Sequence, residues 1–285
     1  MKVQYKHKVM STFMLWLDKE ILEQGEAFTN HSGLLYDVPD EYSAYNTYGL
    51  PFKQIVSDTS ISNASVMSGV TVDGAFTTPG NGDLIDINFQ EGVAYFSAAQ
   101  SVVSGDYAVK EYSISLTDLS EEDLLFENKF HVQNRVWEDP TGLAPNQLTI
   151  PHLFIKDVTS ENKDFCFGGT SQTTSNIRVV AMSDDKFFLD GVDSICADSK
   201  GKNIEMVEPE LMPFNFLGGW NSGAAYNYDG FITTFDNPKM FIEDVFVSRI
   251  NVDKINEAMG ETNLNVMVSF IDFELTQERI HRTTI

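Results

Sequence analysis

The first 24 residues carry large apolar side chains at the spacing of an α-helix. Those on or beside one helical face are Met10, Phe13, Met14, Trp16, Leu17 and Ile21. This pattern predicts a helix at about residues 6–24, and Gly25 suits the position just past its end. The apolar face is wider than one surface stripe requires, so we expect the helix to pack between elements or between subunits.

Residues 25–80 show no sustained hydrophobic period and are rich in Tyr, Ser, Asn and Gly. Loops this long are uncommon inside a compact domain, so we interpret the segment as an extended arm with short strands that orders against a neighbour. Aromatic side chains would anchor such an arm. The helix and the arm together supply the candidate subunit-interface residues, which are Phe13, Trp16, Leu17, Tyr42, Tyr45 and Tyr48.

From about residue 83 the hydrophobic period changes to two. Ile85, Ile87 and Phe89 alternate with polar or charged residues, and the same alternation returns at residues 112–117. This pattern predicts an antiparallel meander with one buried face. Ser120 is followed by three acidic residues, which predicts a short capped helix after the meander.

Proline and glycine cluster at residues 138–145, which is the best candidate for a boundary. The boundary predicts three parts: an N-terminal helix at 1–24, an arm and β-meander at 25–139, and a second β-rich region at 140–285. Candidate strands in the last part cover residues 148–158, 177–183, 186–198, 203–208, 239–248 and 263–275. The predicted fold class is therefore mainly β, an antiparallel sandwich or barrel-like fold with one N-terminal α-helix and short helices.

The charge is strongly acidic, with 42 Asp and Glu against 19 Lys and Arg and a net charge of -23. A nucleic-acid binder needs a basic footprint, which the chain lacks overall. Residues 20–109 contain a single basic residue, Lys53, whereas the first nineteen residues contain four lysines. We expect a solvated acidic surface, against which the basic start of another copy could pack.

Motifs for catalysis or cofactor binding are missing from the sequence. It has no nucleophile elbow, zinc-protease motif, phosphate-binding loop or dinucleotide fingerprint, and its five histidines are scattered. Cys166 and Cys196 lie thirty residues apart, which fits neither a disulfide framework nor a zinc site. We therefore expect no enzymatic activity, no metal site and no cofactor.

Two loops carry candidate binding residues at their tips. The glycine-rich and aromatic segment 214–229 suits sugar stacking, and it equally suits a loop pinned by aromatic anchors or a protein interface. The segment 74–84 suits an exposed loop that reaches towards a neighbour. The loop-tip candidates are Pro79, Asn81, Trp220, Tyr226 and Tyr228.

The helix at residues 8–18, the Tyr/Ser/Asn-rich arm, the strand-rich remainder and the closing segment 268–275 together resemble virion structural proteins of tailed bacteriophages, especially neck and tail-adaptor components. The resemblance implies homo-oligomeric ring assembly around a DNA conduit, as a connector or tail component. Its implied partners are copies of itself and the portal, terminator, sheath or tube, with genomic DNA passing without sequence-specific binding and no membrane. It implies a location in the virion, after assembly in the host cytoplasm, and it carries over no catalytic residue.

The alternative function is a secreted or surface β-sandwich carbohydrate-binding module. Exposed coplanar aromatic rings around residues 214–228 would favour it. The start of the chain argues against it, because the apolar run at residues 9–17 is short, contains Ser and Thr, and is followed by no small-residue cleavage site.

Overall fold

The computed structural model describes residues 5–38, 45–124, 132–134, 148–164, 170–208, 211–213, 225–232, 238–250 and 266–280. Contacts within the chain divide it into two compact units. The barrel unit includes Glu26–Glu111 and Val207–Thr234, and the sheet unit includes Gln4–Gly25, Tyr112–Met206 and Phe235–Ile285. Each unit is therefore built from separate stretches of the chain.

The described part of the barrel unit contains one sheet of seven strands. They are β1 (Phe28–Asp37), β2 (Asn46–Gly49), β3 (Val70–Val72), β4 (Ala75–Thr77), β5 (Leu84–Asn88), β6 (Val93–Phe96) and β7 (Val103–Lys110). Their order is β4-β3-β7-β1-β2-β6-β5, and each neighbouring pair is antiparallel. The outermost strands, β4 and β5, are consecutive in the chain, and the sheet curls into a nearly closed barrel.

The interior of the barrel is apolar and includes residues from the segment with no clear period. The rings of Tyr48 and Phe96 meet edge to face at 5.2 Å, and Leu35 and Ile87 belong to the same buried cluster. Residues 25–80 supply β1 to β4, three of which are only three or four residues long. Strands this short are too brief to produce a sustained alternation in the sequence.

Residues 225–232 belong to the barrel unit although they are distant in sequence. The backbone N–H of Tyr226 donates to the Ser57 carbonyl at 3.0 Å, and the Thr59 N–H donates to the Tyr226 carbonyl at 2.7 Å. The buried ring of Tyr226 stacks on Phe231 at 5.6 Å. These contacts attach the distant segment to the chain between β2 and β3.

The described part of the sheet unit contains a six-stranded sheet and a short two-stranded one. The strands are β8 (Ser113–Leu116), β9 (Val132–Asn134), β10 (Leu148–Ile150), β11 (His152–Asp164), β12 (Thr170–Ser183), β13 (Asn203–Glu205), β14 (Lys239–Arg249) and β15 (Met267–Ile280). The large sheet has the order β13-β14-β15-β12-β11-β8, and β9 pairs with β10. Its pairs are antiparallel except β8 with β11. The strand predicted at 263–275 is β15, which lies in the middle of the sheet, as its two apolar faces indicate.

Helix α1 (Tyr5–Gln24) packs on the large sheet and confirms the predicted N-terminal helix. The ring of Phe13 meets the ring of Phe273 edge to face at 4.9 Å. Near the helix end, the Tyr112 hydroxyl donates to the Asp18 carboxylate at 2.8 Å. Eleven helix residues are buried, which explains why its apolar face is so wide.

Two features of the β-rich prediction were wrong in detail. Residues 186–198, predicted as a strand, form helix α3 (Lys186–Ala197), because Asp185 caps it by accepting from the Phe187 N–H at 2.9 Å. Its buried residues, among them Leu189 and Cys196, recur at helical spacing. The last strand of the predicted meander, β8, leaves the barrel unit and pairs in parallel with β11.

The fold class is as predicted: mainly β with antiparallel sheets, one N-terminal helix and short helices. One of the short helical elements is the turn α2 at residues 121–124, which follows Ser120. The Ser120 hydroxyl accepts from the Asp123 N–H at 3.1 Å, as expected of a cap.

Candidate functional site

The interface candidates of helix α1 lie in the core of the sheet unit. Phe13 and Leu17 are fully buried and Trp16 is nearly so. Trp16 and Phe13 both contact the ring of Phe273. Their contact with a second copy stays a prediction, and in the described chain they stabilise the packing of α1 on its own sheet.

The tyrosine candidates of the arm have different surroundings. Tyr45 is exposed and lies 6.3 Å from the ring of Tyr95. Tyr48 is buried, and its hydroxyl donates to the Gln100 carbonyl at 2.7 Å. Tyr42 lies outside the described residues. Of these three candidates, Tyr45 is the one that the structure describes as exposed.

The loop-tip candidates separate into one exposed tip and one buried pair. Pro79 and Asn81 lie in the turn between β4 and β5, where Asn81 is exposed. Tyr226 and Tyr228 are buried in the barrel unit, so their rings do not present open faces to a sugar. Trp220 lies outside the described residues.

Four exposed apolar side chains on the barrel-unit sheet form a surface that we call the barrel patch. The exposed fractions are 49% for Leu34, 56% for Tyr36, 62% for Phe76 and 51% for Val102. Leu34 and Tyr36 share a face because they lie two positions apart on β1. Val102 comes next to Tyr36 when the pairing of β1 with β7 is continued by one residue.

Strand pairing places the members of the barrel patch on one face across four strands, with the polar Thr71 and Ser104 between Phe76 and Leu34. Phe76 pairs with Thr71, Thr71 with Ser104, and Ser104 with Leu34. Directly paired residues of antiparallel strands lie on the same face. At about 4.8 Å between strands, the row from Phe76 to Leu34 is roughly 14 Å long. The patch was missed in the sequence because its members come from three separate segments.

A second exposed surface is the outer edge of β14 in the sheet unit. On one side β14 pairs with β15, whereas on the other side β13 pairs only with residues 239–241 of β14. Among the described residues, none pairs with the open side from residue 243 onward. We call residues 243–249 the β14 edge. It carries the exposed side chains of Phe246 and Val247.

Ion pairs hold both ends of the β14 edge in place. The Arg249 guanidinium donates to Asp193 at 2.7 and 2.9 Å and also to Asp190, both on α3. Hydrogen bonds to Asp190 and Asp193 raise the pKa of Arg249. Lys200 donates to Asp244 at 2.9 Å, and that hydrogen bond lowers the pKa of the Asp244 carboxyl. Within the edge, the Val245 N–H donates to the same Asp244 carboxylate at 2.9 Å. The edge is therefore a strand that is fixed at both ends.

A charged network on the large sheet joins Arg178, Asp272 and Glu121. Arg178 forms a bidentate pair with Asp272 at 2.6 and 2.9 Å and donates to Glu121 at 3.1 Å. Hydrogen bonding to Asp272 raises the pKa of Arg178, and backbone hydrogen bonding, assisted by Arg178 and Lys156, lowers the pKa of Glu121. The network joins α2 to the sheet, so we assign it a structural role.

Two histidines are engaged in aromatic stacks. The His31 ring stacks on Phe52 at 4.8 Å, and the His152 ring stacks on Phe154 at 3.9 Å. In the part of the chain that is described, no group of three or more His, Cys, Asp or Glu side chains is arranged to hold a metal ion. No helix within the described ranges has the length and apolarity needed to cross a membrane.

Comparison of the chain with protein-family models and with curated proteins gave no match to either.

Proposed function

We propose that this chain is a structural subunit that assembles with copies of itself through the barrel patch. The observation that carries the proposal is an apolar surface of four large side chains on a chain with a net charge of -23. Leu34, Tyr36 and Val102 form the contiguous part of this surface, and contiguous exposed apolar surface commonly marks a protein–protein contact. Fully burying a large apolar side chain contributes about 1.5–3 kcal/mol to the free energy of association. Before assembly, the four side chains of the patch are about half-exposed or more.

The particle that we propose is a bacteriophage virion, with the chain in the neck, connector or tail. This finer assignment rests on the resemblance of the N-terminal helix, the aromatic arm and the strand-rich remainder to neck and tail-adaptor proteins. In a ring around a DNA conduit, an acidic lumen repels the phosphates and lets genomic DNA pass without sequence-specific binding. Neighbours would then be further copies and the portal, terminator, sheath or tube.

The test is the replacement of Phe76 by serine, with the native mass measured by light scattering. We expect Phe76→Ser to weaken assembly by about tenfold or more, because it removes the most exposed apolar ring of the patch. The matched control is Phe187→Ser, which removes a phenylalanine that is 85% exposed on α3, outside the patch. Equal masses for the wild type and Phe76→Ser, or equal losses for both variants, would overturn the role of the patch.

A further inference from the structure

We propose that the β14 edges of two copies pair antiparallel about a two-fold axis beside Phe246, joining two large sheets into one. The inference rests on the proposed self-assembly but uses a different surface from the barrel patch. The occupant of the β14 edge is therefore a second copy of the same strand.

Alternate residues of β14 direct backbone groups away from β15, towards the open edge. The Ile250 N–H donates to the Val268 carbonyl at 3.1 Å, so the backbone groups of Ile250 face β15. In an antiparallel pair these groups alternate along the strand, so Ser248, Phe246 and Asp244 also turn theirs towards β15. Residues 247 and 249 then present their N–H and C=O groups to the open edge. Val245 presents its C=O there, whereas its N–H donates to the Asp244 carboxylate at 2.9 Å.

The pairing register follows from these outward groups. A two-fold antiparallel pair must match outward residues with outward residues, which allows axes beside residues 245, 246 or 247. An axis beside Val245 sets Val247 against Glu243 of the second copy, and one beside Val247 sets Val245 against Arg249. Only the axis beside Phe246 pairs Val245 with Val247. The side chains therefore favour that axis.

The same register covers an exposed ring and brings a basic side chain near an acidic one. Phe246, which is 59% exposed, comes to lie beside its symmetry mate. Arg249 lies across from the β-bulge that contains Glu243 of the second copy. The Arg249 bonds to Asp190 and Asp193 use Nε and Nη2, so Nη1 is left to donate to that carboxylate. Apolar residues thus meet apolar residues, and a basic side chain comes near an acidic one.

Backbone pairing gives the contact its strength. In the proposed register, the Val247 N–H of each copy donates to the Val245 carbonyl of the other copy, which makes two hydrogen bonds across the axis. An open strand edge is a template for this kind of pairing. The contact is isologous, so each copy contributes the same strand and the pairing closes on itself.

A disulfide across the axis tests the register. Phe246 and its mate form a pair without hydrogen bonds between them, with Cα atoms about 4.5 Å apart, which suits a disulfide. We expect Phe246→Cys, made in a Cys166→Ser background, to yield a covalent dimer under mild oxidation. Cys196 is buried, and burial raises the pKa of its thiol, so it is left in place.

The control is Ser248→Cys on the same exposed face of the strand. In the proposed register Ser248 lies opposite Asp244, so two copies of residue 248 are four residues apart, roughly 13 Å. We expect no covalent dimer from this variant. Equal cross-linking of Phe246→Cys and Ser248→Cys, or none from Phe246→Cys, would overturn the pairing.

Proline at position 247 gives a second readout that leaves the sheet intact. The Val247 N–H points to the open edge, so Val247→Pro removes two inter-copy hydrogen bonds and none to β15. We expect the dissociation constant of the dimer to rise by about tenfold or more by sedimentation. An unchanged dissociation constant would overturn the pairing.

The barrel-patch proposal and the β14 pairing can be overturned independently of each other. If Phe76→Ser reduces assembly while Phe246→Cys does not cross-link, the β14 pairing is wrong and the barrel-patch proposal holds. If Phe246→Cys cross-links while Phe76→Ser assembles like the wild type, the pairing holds and the barrel patch is not the assembly surface.

Discussion

Replacing Phe13 with alanine is expected to lower the free energy of unfolding of the sheet unit by about 3–5 kcal/mol. The ring is fully buried and contacts the rings of Phe273 at 4.9 Å and Trp16 at 5.6 Å. Removing it deletes apolar contact and leaves a cavity that the rigid sheet beneath α1 cannot close.

Urea unfolding followed by circular dichroism measures this loss. The matched control is Phe187→Ala, which deletes the same ring where it is 85% exposed, and its effect is expected within about 0.5 kcal/mol. Similar losses for the two variants would show that α1 does not pack on the sheet as described.

Replacing Asp58 with alanine is expected to destabilise the barrel unit by about 3 kcal/mol or more. The carboxylate is only 1% exposed, and its Oδ1 accepts from the Ser60 N–H at 2.9 Å, the Ser60 hydroxyl at 2.7 Å and the Tyr228 N–H at 3.1 Å. Alanine leaves those donors without this acceptor and loosens the segment around Tyr228 from the barrel unit.

Two further variants serve as controls for the effect of Asp58→Ala on the free energy of unfolding. Asp58→Asn keeps one carbonyl oxygen as an acceptor, so its loss is expected to be smaller than that of Asp58→Ala. Asp106→Ala removes an exposed carboxylate of the same unit and should change the free energy of unfolding by about 0.5 kcal/mol or less. If Asp58→Ala lowered the free energy of unfolding no more than Asp106→Ala, the Asp58 carboxylate would not anchor the segment around Tyr228.

The sequence predicted elements whose signal is local and missed those set by distant contacts. Helix α1 and strand β15 can be recognised from the spacing of their apolar residues. Residues 186–198 were misread because apolar residues cluster at both ends of the segment, although Leu189, Val192 and Cys196 recur at helical spacing. Short apolar stretches leave helix and strand hard to distinguish without their packing.

The candidate surfaces depend on strand order, which hydrophobic pattern does not encode. In the sequence, nothing distinguishes Phe246 from other strand residues, and its position on an open edge follows from β13 ending its pairing at Phe241. The barrel patch likewise exists only because β4, β3, β7 and β1 become neighbours. The predicted interface residues Phe13 and Leu17 were chosen for apolarity, which marks a core and an interface alike.

Self-assembly is tested most directly by the mass of the native particle in a series of monovalent salt concentrations. Copies with a net charge of -23 repel one another at low ionic strength. Raising salt to about 0.15 M shortens the screening length to about 8 Å, so assembly should strengthen. We expect a discrete particle several times the chain mass of 31.9 kDa, visible as a ring by negative-stain imaging. A 31.9 kDa species at every salt and protein concentration would contradict the assignment of this chain as an assembling structural subunit.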